Sequence, residues 1–166
     1  MRATQGRDAG GLVDIRQGLD AWRNTGAEFG LPYFLTLLAE AYGAVGQPEA
    51  GLRVVAEGLT LVDTTGERVW ETELHLLKGE LRLLTRTRHQ VAEAEESILR
   101  VLDAARRQQA KSLELRAAMS LARLWQQQGK RAAAYDVLAP VYGWFTEGFD
   151  TADLQAAKVL LEELGA

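Results

Sequence analysis

The chain contains no cysteine, which removes disulfides, thiolate metal sites and a catalytic thiol at once. A secreted disulfide scaffold goes with them, and a reducing cytoplasm is the expected compartment. No apolar run approaches the roughly 20 residues that a membrane-spanning helix requires, so no membrane role is expected. Met1 to Gly6 lead into a charged, glycine-containing stretch, and no signal peptide is visible there. Charge of one sign is missing too. The net charge is -4, with acids and bases interleaved, which argues against a uniform field for nucleic acid or anionic lipid. Sustained alternation with β-branched residues is absent, so no sheet is expected.

What is present is a chain of 166 residues, 47% hydrophobic and 25% charged, long enough to bury a sizeable core as a single domain. Leu12, Ile15, Leu19 and Trp22 form one apolar stripe at helical spacing, and Thr25-Gly26 ends that leading helix, which occupies 1–30 with its turn. Gly30-Leu31-Pro32 starts the next helix, since proline loses no intrahelical donor in a first turn. That helix carries Leu35, Leu38, Tyr42 and Val45 and stops at Gly46-Gln47-Pro48. The third directs Leu52, Val55, Leu59 and Val62 inward, and the fourth Trp70, Leu74, Leu77, Leu81 and Leu84. Beyond the polar stretch from Thr85 to His89 comes a fifth with Val91, Ala94, Ile98, Val101 and Ala105. Lys111 to Tyr142 hold two more, joined at Gly129-Lys130, and a last helix from about Thr151 lines up Leu154, Ala157, Leu161 and Leu164.

Small residues set the architecture. Gly11, Gly51, Ala94 and Ala134 recur at intervals of about 40, 43 and 40 residues, in the range of helical repeat arrays. Four residues on come Ile15, Val55, Ile98 and Leu138, and three further Gly18, Gly58, Val101 and Val141. Leu38-Ala39 with Tyr42, and Leu121-Ala122 with Trp125, repeat in the first helices; Gly79 matches them in the middle hairpin, where Arg82 replaces the aromatic. Glycine or alanine at a helix crossing lets two backbones approach closely. The pattern resembles tetratricopeptide repeats with longer helices than usual. It implies an all-α, right-handed α-solenoid of about eight helices: hairpins over 31–65, 68–109 and 111–142, an aromatic connection over 143–150 and a terminal helix over 151–166.

A narrower likeness covers most of the chain from Pro32 onward. Glu73-Leu74-His75, Lys78-Gly79-Glu80-Leu81, Glu114-Leu115-Arg116-Ala117-Ala118, Ser120 to Trp125, Gly129-Lys130 and Trp144-Phe145-Thr146-Glu147-Gly148-Phe149-Asp150-Thr151 resemble the C-terminal repeat region of large bacterial predicted ATPases. An adenylate or guanylate cyclase domain, or a DNA-binding domain, often precedes the ATPase module in those proteins. The catalytic and nucleotide-binding parts have no counterpart here. Gly129-Lys130 runs into Arg131, with Leu124 where a phosphate-binding loop needs its leading glycine. No cofactor and no enzymatic activity are expected. Gly11, Ile15 and Gly18 read as the second helix of a hairpin whose first helix would precede Met1, so this helix is either an adapted cap or a surface for a neighbour or second copy.

Candidate sites follow from this geometry. First helices of successive hairpins line the concave side of a solenoid, which directs Tyr33, Thr36 and Glu40, then Glu73 and Glu80, then Arg116, Met119, Arg123 and Gln126 toward a groove for a protein or peptide partner. Trp144, Phe145 and Phe149 carry too much apolar surface for an ordinary loop; they seal the last hairpin or line a small-molecule pocket. Glu71 and His75 share one helix face, but half a metal site lacks the further ligands zinc draws. Arg82, Arg86, Arg88, His89, Arg106, Arg107 and Lys111 could touch phosphates, yet without interleaved aromatics they read as solvated faces and helix ends. Glu93, Glu95 and Glu96 suit a helix start that complements the dipole.

Overall fold

The computed structural model describes residues 2–27, 29–85 and 88–165, with side chains described from residue 11 onward apart from that of residue 88. Among them the protein is all-α: eight α-helices, one 3-10 turn and no strand. The helices are α1 (Arg2–Asn24), α2 (Leu31–Ala44), α3 (Pro48–Thr65), α4 (Glu71–Thr85), α5 (Arg88–Gln108), α6 (Lys111–Gln127), α7 (Arg131–Tyr142) and α8 (Ala152–Gly165). Trp70, expected on the fourth helix, lies in the 3-10 turn Arg68–Trp70 ahead of α4. Arg86 and the Arg88 side chain fall outside the described residues.

The chain forms two compact units, Met1–Ala94 and Glu95–Ala166, with the boundary inside α5. In the first, α3 packs against both α2 and α4, α1 packs against α2, and α2 touches α4. Two clusters contribute to its core. Leu19, Leu31, Leu35 and Leu38 join α1 to α2, and Ala39, Val55, Val62, Leu74, Leu77 and Leu81 join α2, α3 and α4. Leu84, expected inward, is exposed. In the second unit α7 packs against α6 and α8, and α6 touches α8. Leu121, Ala122, Ala134, Leu138, Leu154 and Ala157 are buried there.

The glycines that mattered in the sequence divide into two kinds. A Cβ on Gly51 would lie 2.9 Å from Leu81 Cδ1 and 3.2 Å from the Ala39 carbonyl oxygen, and one on Gly58 would lie 2.9 Å from Leu74 Cδ2. These two admit close helix packing. Gly11 and Gly18 of α1 occupy the same register but have nothing within 4 Å of such a Cβ. The close approach read into them is not made, because α1 meets α2 through Leu12, Ile15 and Leu19.

Turns repeat as the helices do. Gly46, at φ 75, lets the Gln47 amide donate back to the Tyr42 carbonyl at 2.9 Å. Gly129, at φ 76, lets the Lys130 amide donate to the Trp125 carbonyl at 2.8 Å. Both satisfy carbonyls that a helix end leaves unpaired, through a left-handed residue that glycine adopts without strain. Tyr42 and Trp125, matched by sequence, thus close matched turns.

Candidate functional site: the cleft between α6 and α8

The C-terminal unit carries a concavity. Arg123, Gln126 and Gln127 of α6 face Ala156, Val159, Leu160 and Glu163 of α8 across a cleft of about 450 Å³. The aromatic connection and α7 place α8 beside α6, and the cleft lies between those two helices. Gln126 Nε2 donates to Glu163 Oε2 at a long 3.4 Å. Arg131, at the start of α7, donates to the carbonyls of Glu163 and Leu164, the latter at 3.3 Å, and so fixes the last turn of α8. Among the described residues the exposed Arg123 guanidinium has no hydrogen-bond or ion-pair partner, unlike Arg116.

Two hydrogen-bonded groups brace α6. Glu95 of α5 accepts from Trp125 Nε1 at 2.7 Å and from Gln128 Nε2 at 3.3 Å. At the other end Glu114, only 4% exposed, accepts from Arg106 Nε at 3.1 Å and Lys111 Nζ at 2.8 Å. Burial pushes the Glu114 carboxyl up, but the hydrogen bonds from Lys111 and Arg106 outweigh it and hold its pKa below the ordinary glutamate value. The sequence offered no sign of the Glu95 link, whose partners stand 30 and 33 residues away.

Not every groove residue is presented. Thr36 is 4% exposed, its hydroxyl donating to the Tyr33 carbonyl at 2.6 Å. Met119 is also 4% exposed, because Ala117 to Ala122 are buried all round α6. These two are corrections: neither offers a side chain to a partner. Arg123 and Gln126 share the cleft above, and Arg116 is half-buried on the same helix. In the first unit Glu40 is exposed, Glu73 and Glu80 are half-buried, and Tyr33 lies against Trp70 with ring centroids 4.8 Å apart.

The aromatic connection divides. Phe145 lines a smaller cleft of about 280 Å³ with Ser112, Leu115, Glu147, Gly148, Thr151, Asp153 and Leu154. Trp144 and Phe149 stay outside it, 57% and 46% exposed. The Trp144 ring meets the edge of Phe145 and lies 5.4 Å from Lys111 Nζ, while Phe149 meets Tyr142 at 5.9 Å. A pocket built from all three rings is therefore not formed.

The basic cluster is largely matched by acids. Arg82 lies 3.6 Å from Glu93, His89 lies 3.5 Å from the same carboxylate, and Arg106 and Lys111 hold Glu114. Glu96 pairs with Arg100. Among the described residues no three His, Asp or Glu side chains converge as a metal ion would require. His75 keeps solvent contact, yet burial, with the Lys78 charge second, lowers its pKa against the pull of Glu71 and Asp63. No described helix is long and apolar enough to cross a membrane.

The chain matches no protein-family model and no curated protein sequence.

Proposed function

We propose that the chain is a non-catalytic interaction module of tetratricopeptide-like hairpins, and that the α6–α8 cleft holds an extended or helical segment of a partner protein. The observation that carries this reading is Arg123, a guanidinium with no partner among the described residues, at the rim of a cleft with apolar walls from Val159 and Leu160. A carboxylate on the partner is the natural complement, since guanidinium–carboxylate hydrogen bonds are among the stronger polar contacts. Likeness to the C-terminal region of bacterial predicted ATPases supports a regulatory setting, in which partner binding is relayed to a larger signalling protein; that step rests on likeness alone.

The test is titration of the isotopically labelled chain with capped peptides that alternate leucine and glutamate. Amide signals of α6 and α8 should shift, and Arg123→Glu should weaken binding by about tenfold or more, the loss of one charge-assisted hydrogen bond. Binding unchanged in Arg123→Glu, or shifts confined to other helices, would overturn the assignment. Association through α1 is a separate expectation, tested by light scattering on the intact chain and on one lacking residues 1–26.

A second reading places a small molecule in the cleft at Phe145, whose apolar walls Leu115 and Leu154 favour it. At about 280 Å³ it is smaller than most ligand pockets, so only a compact ligand fits. A thermal-shift screen of nucleotides and metabolites checks it, because a ligand bound to the folded state alone raises Tm.

A further inference from the structure

Two connections of the first unit are tied together. The Gly30 amide, in the turn from α1 to α2, donates to Glu67 Oε2 in the turn from α3 to α4 at 3.2 Å. Gly30 holds φ 81 and Gly66 φ 74, left-handed conformations that let both turns reverse tightly. The joined turns present Phe29 and Val69, each 80% exposed, which is more than any other large apolar side chain among the described residues.

Beside them runs a line of rings. Trp22 and Phe34 have centroids 5.1 Å apart, Phe34 and Tyr33 5.5 Å, and Tyr33 and Trp70 4.8 Å. Trp22 and Tyr33 remain more than one-third exposed. The rings rest on α1, α2 and the 3-10 turn, so this line of rings is held by the fold.

The charge along the turn from α3 to α4 is predominantly negative. From Asp63 to Glu73 the chain carries the carboxylates of Asp63, Glu67, Glu71 and Glu73 against the single guanidinium of Arg68. Arg68 Nη1 donates to both oxygens of Glu71, at 2.9 and 3.0 Å, so that pair neutralises itself and the negative excess rests on the other carboxylates, Asp63 and Glu67 foremost. The surface therefore joins exposed apolar groups and aromatic faces to a net negative field.

We infer that these joined turns dock a basic, apolar segment of another protein, which lays an arginine or lysine over the Tyr33 and Trp70 rings and an aliphatic side chain on Phe29 and Val69. Ring faces attract cations, and opposite potentials across an interface favour the encounter. The same field repels anionic lipid headgroups and the matching edge of a second copy. Nothing in this site depends on the α6–α8 cleft, so the two assignments stand or fall separately.

The experiment uses the full chain and a capped peptide alternating leucine with arginine. Two controls replace arginine by glutamate, or leucine by serine. The Trp70 indole signal should shift on titration while those of Trp125 and Trp144 stay in place, and affinity should fall as salt is raised. The double variant Phe29→Ser, Val69→Ser should weaken binding by about tenfold or more while leaving Tm unchanged, since both side chains already lie in water. Exposed Asp63→Asn should reduce the salt dependence. An equal shift of the Trp70 indole signal with the glutamate peptide, or an unaltered shift in the double variant, overturns the inference. So does binding to phosphatidylserine vesicles in place of the peptide, or self-association that the double variant abolishes.

Discussion

Gln109 and Gly129 close two different turns with the same left-handed backbone, at φ 56 and φ 76. In each, the next residue's amide reaches back to a helix carbonyl, Ala110 to Ala105 at 2.9 Å and Lys130 to Trp125 at 2.8 Å. Glycine takes this conformation freely, whereas an L side chain pays on the order of 1 kcal/mol. Gln109→Gly should therefore stabilise the chain by about 0.5–1 kcal/mol, despite the greater freedom of glycine when unfolded. Urea denaturation checks this, and an unchanged or lower midpoint would show that the Gln109 side chain, whose Nε2 donates to the Arg106 carbonyl at 3.0 Å, offsets the strain.

Glycines in matched register should respond with opposite signs. Gly51→Ala places a methyl group 2.9 Å from buried Leu81 and 3.2 Å from the Ala39 carbonyl oxygen, so overpacking of about 1–3 kcal/mol outweighs the roughly 1 kcal/mol helical gain. Gly18→Ala meets nothing within 4 Å and should gain most of that preference. Paired thermal melts decide it: the first variant should fall in Tm and the second should rise.

Helix order and turn positions could be read from the sequence because their signals are local. Gly30-Leu31-Pro32, Gly46-Gln47-Pro48 and Gly129-Lys130 each mark a helix end that a few residues determine. Facing is a different matter. Thr36 and Met119 sit on helices with neighbours on more than one side, and spacing along one helix cannot say how far around it the burial extends. Nor could a count of rings tell that Phe145 turns into a cleft while Trp144 turns out. Of the candidate site, Arg123 and Gln126 were legible, but Glu163 and Leu160 were not, since α8 reaches them from more than 30 residues away. The meeting of Tyr33 with Trp70 is hidden for the same reason.

Glu114 supplies an acid-sensitive anchor. Its carboxyl has a lowered folded pKa, so its stabilising effect is complete above the ordinary glutamate value and is lost as pH falls through the folded value. Glu114→Gln should cost about 1–3 kcal/mol at neutral pH, the usual loss for a buried hydrogen bond to a charged group. It should also flatten the fall in stability on the acid side. Denaturation midpoints across pH for both proteins check this; parallel curves would show that Glu114 is not the group responsible.

His75 acts in the same direction as Glu114, in a higher pH window. Its folded pKa is lowered, so the unfolded chain takes up the proton more readily. Stability should therefore be fullest above the ordinary histidine value and decline as pH drops from there toward the folded value. His75→Gln should remove that part of the slope and leave the acidic limb set by Glu114, which pH-dependent melts can separate.

Arg131 gives α8 a mechanical character. Thr151 Oγ1 donates to the Gly148 carbonyl at 2.8 Å at one end of the helix, and Arg131 grips the carbonyls of Glu163 and Leu164 at the other. Force applied at Gly165 must break the arginine clasp before it can peel α8 from α6 and α7. In an optical trap this clasp would act as a latch, setting the load at which the last helix detaches, and Arg131→Ala would lower that load.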